Sequence, residues 1–247
     1  ERLVSATTKA NVQEIRSVPW GGWAALIVFL VAWVGLPVLA VVTLAALGSA
    51  WPTAYQWLRL IENGDPMATF GIVIIGAVGS LALIAFYLRR YGVGLEALGL
   101  RRFNLLRTLL YIGLIVLTFG ILVTLAYTLV QAINPGFNPD EAQVNEFTHQ
   151  RSLISLLALV ILPPLIEEVT FRGFIFPGLS KRYGVIIGAI ISSGLFGLAH
   201  LQGNVSIYTF ILGLLLCWLY TRVRSIIPGI ALHMINNYIA YMALNMK

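Results

Sequence analysis

Charged residues are scarce in this chain: Asp, Glu, Lys and Arg together make up 11% of its 247 residues. Soluble domains carry about 25% charged residues, so the shortage excludes an ordinary soluble protein. Hydrophobic residues make up 59% of the chain, and they form long runs without the alternating pattern that is typical of membrane β-barrels. Helices remain as the elements that satisfy their own backbone hydrogen bonds in lipid. The sequence therefore predicts an all-α, polytopic transmembrane helical bundle.

Cysteine is almost absent as well. The single cysteine, Cys217, lies in an apolar run, which excludes a disulfide within the chain and favours a packing role. The net charge of +6 does not indicate a nucleic-acid partner, because the basic residues cluster in short loops, where they set orientation in the membrane. No apolar signal-peptide core is visible in residues 1–19. We interpret residues 1–19 as a cytoplasmic N-terminal tail and residues 20–247 as a single membrane-embedded domain.

The long apolar runs predict about seven spans, and six to eight are compatible with their lengths, since a span needs about 20 residues. The segments are roughly 22–47, 67–88, 107–132, 152–177, 185–201, 205–221 and 226–245. From the N-terminal tail through the six loops to the C-terminus, the numbers of Lys and Arg run 3, 1, 5, 1, 2, 0, 2 and 1. Cytoplasmic loops carry the excess of these residues. We therefore expect a cytoplasmic N-terminus and an external C-terminus. We also expect the membrane to be the plasma membrane of a prokaryote.

The regions between the spans carry three further expectations. Trp20 and Trp23 flank the inner end of the first span, as interfacial aromatic residues do. Residues 51–62 have the composition of a short interfacial helix. Residues 134–150 are acidic and polar, which predicts an external loop with His149 in solvent.

Two adjacent glutamates, Glu167 and Glu168, lie inside the fourth apolar segment. A charged side chain at that depth costs about 2.5–3.5 kcal/mol, so a function or a firm partner is expected for each. Arg172 is four residues beyond Glu168 and shares its helix face, whereas Glu167 points about 100° away towards a cavity, where it can act as a general base or acid. Pro163 and Pro164 are expected to bend this helix. A buried ion pair that only stabilises packing is the alternative.

Two further apolar segments carry histidines at related spacings. Phe196 and His200 are four residues apart at the end of the fifth segment, and His233 and Asn237 are four residues apart in the seventh. At a rise of about 1.5 Å per residue, these groups and Glu167 lie at mid-depth or in the cytoplasmic half of the membrane. If they converge, they supply a carboxylate, two imidazoles and an amide. Such a set can activate water and stabilise an oxyanion.

The three motifs EExxxR, FxxxH and HxxxN, in this order on apolar helices, resemble the CPBP family of CAAX proteases and bacteriocin-processing membrane proteins. They are carried by Glu167, Glu168, Arg172, Phe196, His200, His233 and Asn237. The resemblance covers roughly residues 90–247, including a weaker LGLR at 98–101, with the catalytic core at about 150–247. It implies an intramembrane glutamate endopeptidase with a helical fold.

The resemblance also implies a role for each motif residue. Glu167 would be the general base, and His200 would help it hold the attacking water. His233 and Asn237 would stabilise the tetrahedral oxyanion. Three supporting residues would shape the site: Glu168, Arg172 and Phe196, the last as a packing or substrate-contact position. The expected partners are the lipid bilayer and a peptide or protein substrate, prenylated or otherwise membrane-bound, and no cofactor is expected.

Three alternatives stay open at this point. Glu167, His200 and His233 could be zinc ligands with a water in the fourth position, although the HExxH motif of many zinc peptidases is absent. A membrane scaffold or immunity protein without catalysis would use the same fold to bind partners. A proton-coupled carrier would also place carboxylates and histidines inside the membrane, but the sequence has no visible inverted repeat.

The orientation leads to a first prediction. A cysteine at Asn63, in the first loop, should react with a membrane-impermeant thiol reagent in intact cells. A cysteine at Arg90, in the second loop, should react only after the cells are permeabilised. Labelling of both positions in intact cells would contradict a cytoplasmic N-terminus with this span order.

Overall fold

The computed structural model describes residues 2–48, 50–63, 65–137, 156–200 and 203–244, and within these ranges the chain is an all-α bundle. The eleven α-helices described are α1 Arg2–Ile15, α2 Gly22–Val28, α3 Leu36–Gly48, α4 Pro52–Glu62, α5 Pro66–Tyr91, α6 Leu105–Ile133, α7 Leu162–Glu167, α8 Phe176–Tyr183, α9 Val185–Leu198, α10 Gly203–Val223 and α11 Ile227–Leu244. A short 3₁₀ turn covers Leu95–Leu98. The predicted fold class is confirmed.

Each of the seven predicted segments is helical where the structure describes it, except for a turn at 199–200 and a bend at 226. In the part of the chain that the structure describes, four stretches are long and apolar enough to cross a membrane, namely Gly22–Gly48, Phe70–Tyr91, Leu105–Ile133 and Val205–Val223. Val185–Leu198 is a shorter apolar helix. The count of seven spans and their orientation stay predictions. The segment at 51–62 forms the helix α4, and its place at the membrane interface stays a prediction. In the 134–150 loop, residues 138–150, with His149, lie outside the described residues.

Within the described ranges, three π-helical segments interrupt the α-helices, and each ends two residues before a proline. The segments are Phe29–Gly35, Leu157–Ile161 and Glu168–Ile175, followed by Pro37, Pro163 and Pro177. A proline lacks the backbone N–H, and its ring collides with the carbonyl one turn earlier. A wider π turn at that point relieves the collision. A π segment thus precedes Pro163, and the bend that we predicted at Pro163 and Pro164 stays a prediction.

The first π segment allows a close helix contact. Its Ala32 carbonyl faces Gly76 of α5, where a Cβ would come within 2.6 Å of the carbonyl oxygen. Only glycine fits this position without a shift of backbone. The contact places α5 directly against the first apolar stretch, and α5 in turn supports the site through the hydrogen bond between the Ser80 and Thr170 hydroxyls, 3.1 Å.

Trp20 is a core residue, which corrects its predicted interfacial role. Its side chain is 0% exposed, it stacks on Phe174 with ring centroids 4.6 Å apart, and its indole N–H donates to the Phe174 carbonyl at 2.9 Å. The flat ring and single donor of tryptophan suit an interior position as well as an interface. Trp23, in contrast, is 65% exposed, as expected for an interfacial residue.

The polar segment interpreted as an N-terminal tail contains helix α1, which packs on the end of α10. The Asn11 side-chain amide donates to the carbonyls of Thr221 and Arg222 at 3.1 and 2.9 Å. These carbonyls belong to the last turn of α10, where the intrahelical donors run out. Arg222 returns a hydrogen bond to the Thr8 hydroxyl at 2.8 Å. The contacts fix α1 to the bundle.

Glu14 of α1 holds two arginines from different parts of the chain, Arg101 before α6 and Arg224 just before α11. It pairs with Arg101 and with Arg224, the latter at 3.4 Å. Ser225 donates to the Arg101 carbonyl at 2.8 Å, so the loop before α11 is attached to the segment at 99–101. Burial disfavours the charged form of Glu14, but the hydrogen bonds and charges of Arg224 and Arg101 outweigh it and hold the pKa of Glu14 below its ordinary value of 4.5.

We predict that Glu14→Gln lowers stability by up to about 1 kcal/mol at pH 7, since Glu14 is partly exposed and solvent screens its pairs. Because the pKa is lower in the folded protein, this contribution is present above about pH 4.5 and is lost as the pH falls through the folded-state value. Thermal unfolding of both proteins between pH 7 and pH 3 measures it. Glu62→Gln, which breaks the exposed pair with Arg59, is the matched control and should change little. A difference that grows towards low pH would contradict the prediction.

Candidate active site

The predicted ion pair between Glu168 and Arg172 is confirmed. Arg172 Nη1 donates to Glu168 Oε1 at 2.8 Å, and both side chains are 1% exposed. Both residues lie in the π segment Glu168–Ile175, and the Arg172 guanidinium lies 4.3 Å from the centre of the Phe196 ring. The pair is completely enclosed by the bundle. Removal of either partner would leave a buried charge without compensation.

Glu168 also binds His233 of α11. Its Oε1 atom is 3.1 Å from His233 Nδ1. An ionised carboxylate only accepts hydrogen bonds, so Nδ1 carries the hydrogen and the tautomer of a neutral His233 is fixed. The second oxygen of Glu168 faces Gly229, where a Cβ would come within 3.1 Å of Oε2. Glu168 therefore orients His233, a role that the sequence did not indicate.

Glu167 lies on the other side of His233. Its side chain is 9% exposed, and its Oε2 atom is 3.8 Å from His233 Nε2. That separation is longer than a hydrogen bond. Glu167 ends α7 and Glu168 begins the π segment, so the two carboxylates diverge, as the helical period predicted. They meet the two nitrogens of one imidazole from opposite sides. The cavity expected beside Glu167 stays a prediction.

His200 follows the end of α9 and is half-buried. Its Nδ1 atom is 2.8 Å from the Phe196 carbonyl oxygen, and since a carbonyl only accepts, Nδ1 carries the hydrogen and Nε2 is the basic nitrogen. The Phe196 ring meets the rings of His200 and His233 edge to face, with centroids 5.0 and 5.7 Å apart. Phe196 is 0% exposed. Phe196 is therefore a packing residue that contacts both imidazoles and Arg172.

Asn237 makes a hydrogen bond to the backbone that Pro163 and Pro164 cannot make. Its amide nitrogen donates to the Leu159 carbonyl at 3.0 Å. In an α-helix that carbonyl would accept from residue 163, and in a π-helix from residue 164. Both positions are proline and have no N–H. Asn237 thus satisfies a carbonyl that its own helix cannot satisfy. An amide has two N–H donors, so one remains for the predicted oxyanion role, which stays a prediction.

Sequence reasoning missed several residues around the site. Tyr208 of α10 donates to the Asn236 side-chain oxygen at 2.5 Å, and the Asn236 amide donates to Asn237 Oδ1 at 3.3 Å. Thr170 stands within the EExxxR motif, but its partner Ser80 comes from α5. These partners are distant in sequence, so no local spacing could identify them. The one signal in the sequence for these additional residues was the pair of adjacent asparagines at 236–237.

The described residues contain no group of three or more His, Cys, Asp or Glu side chains that could hold a metal ion. The zinc alternative at Glu167, His200 and His233 therefore gains no support from the side-chain geometry. Whether the chemistry needs a metal is a matter for experiment.

A part of the chain also matches a known protein family. Residues 149–239 match the family model described as type II CAAX prenyl endopeptidase Rce1-like. This segment, about a third of the chain, is therefore similar to the Rce1-like family. It contains every residue of the three motifs, and it is shorter than the region of resemblance expected at 90–247.

A curated relative matches as well. The chain is 30% identical over 93 residues to the Bacillus subtilis (strain 168) protein named "Putative membrane peptidase YdiL", and the match covers 37% of this chain. It spans about 38% of the length of that relative. No solved structure matches the chain significantly. The apolar helices and the segment similar to this family indicate an integral membrane protein.

We predict that Glu168→Gln lowers stability by about 3–5 kcal/mol, because it leaves Arg172 buried beside a neutral amide. Thermal unfolding in detergent, followed by tryptophan fluorescence, measures the loss. Glu167→Gln has the same shape and charge change at the neighbouring position, which lacks the arginine, and it should cost much less. Equal melting temperatures for the two variants would contradict the structural role of the ion pair.

Proposed function

We propose that this chain is a membrane-embedded endopeptidase of the glutamate type, in which Glu167 and His200 activate a water molecule. One observation carries the proposal most directly. The buried Glu167 carboxyl lies 3.8 Å from His233 Nε2, while the Nδ1 atom of the same ring is held by Glu168. A carboxylate next to an oriented imidazole is the arrangement that general acid–base catalysis needs. The Rce1-like family match supports this reading.

The charges of the cluster indicate how protons are distributed. Two carboxylates face one buried guanidinium, so one further proton makes the group neutral. A proton shared between Glu167 and His233 Nε2 brings the net charge to zero. The buried side chains of Glu167, Glu168, Arg172 and His233 then carry no uncompensated charge. When this proton is on His233, the ring is a cation with an Nε2–H donor. That form suits an oxyanion-stabilising residue, and it leaves Glu167 as the base.

The reaction then follows in balanced steps. Glu167, assisted by His200 Nε2, takes a proton from water as its oxygen attacks the scissile carbonyl carbon. The tetrahedral oxyanion accepts hydrogen bonds from His233 Nε2–H and from the second Asn237 N–H. Glu167 then gives its proton to the leaving amine as the C–N bond breaks. The nucleophile is water throughout, so no covalent enzyme intermediate forms, and the products are a carboxylic acid and an amine.

The remaining motif residues support this centre without direct chemistry. Glu168 orients His233, Arg172 neutralises Glu168, and Phe196 packs both imidazoles in place. We propose a peptide or protein substrate that reaches the site from the membrane. Because the matched family is described as CAAX prenyl endopeptidases, a prenylated C-terminal peptide is the first substrate to test, with a cytoplasmic N-terminus and metal independence as parts of the same proposal.

We predict that Glu167→Gln and His200→Ala each lower the rate of peptide cleavage by about 10²–10⁴-fold, the usual contribution of a general acid or base. Both variants should keep near-wild-type melting temperatures, because neither breaks the Glu168–Arg172 pair. Cleavage of a prenylated peptide and its unprenylated counterpart by the purified protein, followed by mass spectrometry, measures the rates. Glu62→Gln is the control for a glutamate change remote from the site.

The outcomes distinguish the alternatives. Full activity of Glu167→Gln would refute the proposed base. Loss of activity with a chelator and recovery with zinc would replace the mechanism with that of a zinc hydrolase. If the wild type cleaves neither peptide and Glu167→Gln preserves the cellular function, the protein acts as a scaffold.

A further inference from the structure

A second polar feature lies outside the candidate active site, between helix α1 and the end of α8. It is a cavity of about 630 Å³, lined by Thr8, Lys9, Val12, Gln13, Arg16, Ser17 and Lys181. The described residues that line it include three cationic side chains and no carboxylate. A concave site with charge of one sign favours an anionic ligand. The catalytic proposal uses none of these residues.

The cationic side chains come from two elements that are held together. Lys9 lies on α1, and Arg16 directly follows the last residue of that helix, with its backbone N–H still bonded to the Val12 carbonyl. The separation of seven residues puts both side chains on one face. Lys181, from α8, donates to the carbonyls of Val18 and Pro19 at 2.8 and 3.3 Å. An ammonium group has three donors, so one remains for a ligand. Glu14, the acidic residue of α1, is held by Arg101 and Arg224.

The position of the cavity indicates the kind of ligand. Ser17 and Lys181 lie next to the ends of apolar helices: the candidate span Gly22–Gly48 begins shortly after Ser17, and the apolar helix Val185–Leu198 begins shortly after Lys181. Trp23, 65% exposed, lies beside the Arg182 guanidinium, which is 5.6 Å from its ring. Exposed tryptophan and clustered basic residues mark the level of lipid headgroups.

We propose that this cavity binds the phosphate of an anionic lipid headgroup, with Lys9, Arg16 and Lys181 as its cationic contacts. A phosphodiester offers several acceptor oxygens to these donors, and the Gln13 amide can add a further hydrogen bond. The lipid would join α1 to α8, the helix that follows the π segment Glu168–Ile175. This site is independent of the proposed peptidase activity.

The test measures lipid binding to the purified full chain in a neutral detergent, by native mass spectrometry. The probes are phosphatidylglycerol, which is anionic, and phosphatidylcholine, which is zwitterionic and bears the same phosphate. Wild type should retain one phosphatidylglycerol with at least about tenfold preference over phosphatidylcholine. Lys9→Gln with Arg16→Gln should weaken phosphatidylglycerol binding about thirtyfold, since each basic residue near an anionic surface contributes roughly fivefold.

The matched control is Arg89→Gln with Arg90→Gln, which removes two exposed arginines at the end of α5 and should leave the affinity unchanged. If the Lys9 and Arg16 variant does not fold, Gln13→Glu tests the same cavity by adding a negative charge, and it should also weaken binding. Equal binding to wild type and to the cavity variants would overturn the proposal. Displacement of the lipid by millimolar inorganic phosphate would also overturn it, because the ligand would then be a soluble phosphate.

Discussion

The Glu168 carboxylate is the constraint on which the core of this protein depends. It is 0% exposed and accepts hydrogen bonds from Arg172 on its own helix and from His233 on α11. A buried charge costs several kcal/mol unless it is paired and hydrogen-bonded. The two helices must therefore keep their relative position, and His233 must present Nε2 to Glu167. Phe196 completes the arrangement because its ring touches both histidines and Arg172.

The positions of the prolines explain why the adjacent residues Glu167 and Glu168 have different partners. The π segment before Pro177 begins at Glu168, directly after the short α-helix that ends at Glu167. The prolines at 163 and 164 leave the Leu159 carbonyl without a donor from its own helix, and Asn237 donates to it. Asn237 of α11 thus donates to the backbone of the segment before the two glutamates, and His233 of the same helix lies next to their carboxylates. The prolines thus account both for the irregular backbone of this segment and for the positions of the two carboxylates.

Contacts far from the carboxylates fix the helix that carries His233 and Asn237. Glu14 of α1 binds Arg101 and Arg224, and Ser225 binds the Arg101 carbonyl. Arg224 and Ser225 lie just before α11 begins. Trp20 acts in a similar way on the π segment, where it stacks on Phe174 and donates to its carbonyl. The polar N-terminal segment is therefore part of the architecture that holds the site.

The sequence by itself determined the all-α membrane class, the seven helical segments and the Glu168–Arg172 pair, because hydrophobic runs and i, i+4 spacing act locally. Its three motifs also indicated the family. Only the tertiary structure decided that Glu168 orients His233, that Asn237 caps Leu159, that Trp20 is buried and that α1 docks on α10. These contacts join residues up to about two hundred positions apart, and helix packing, which no local pattern encodes, brings them together.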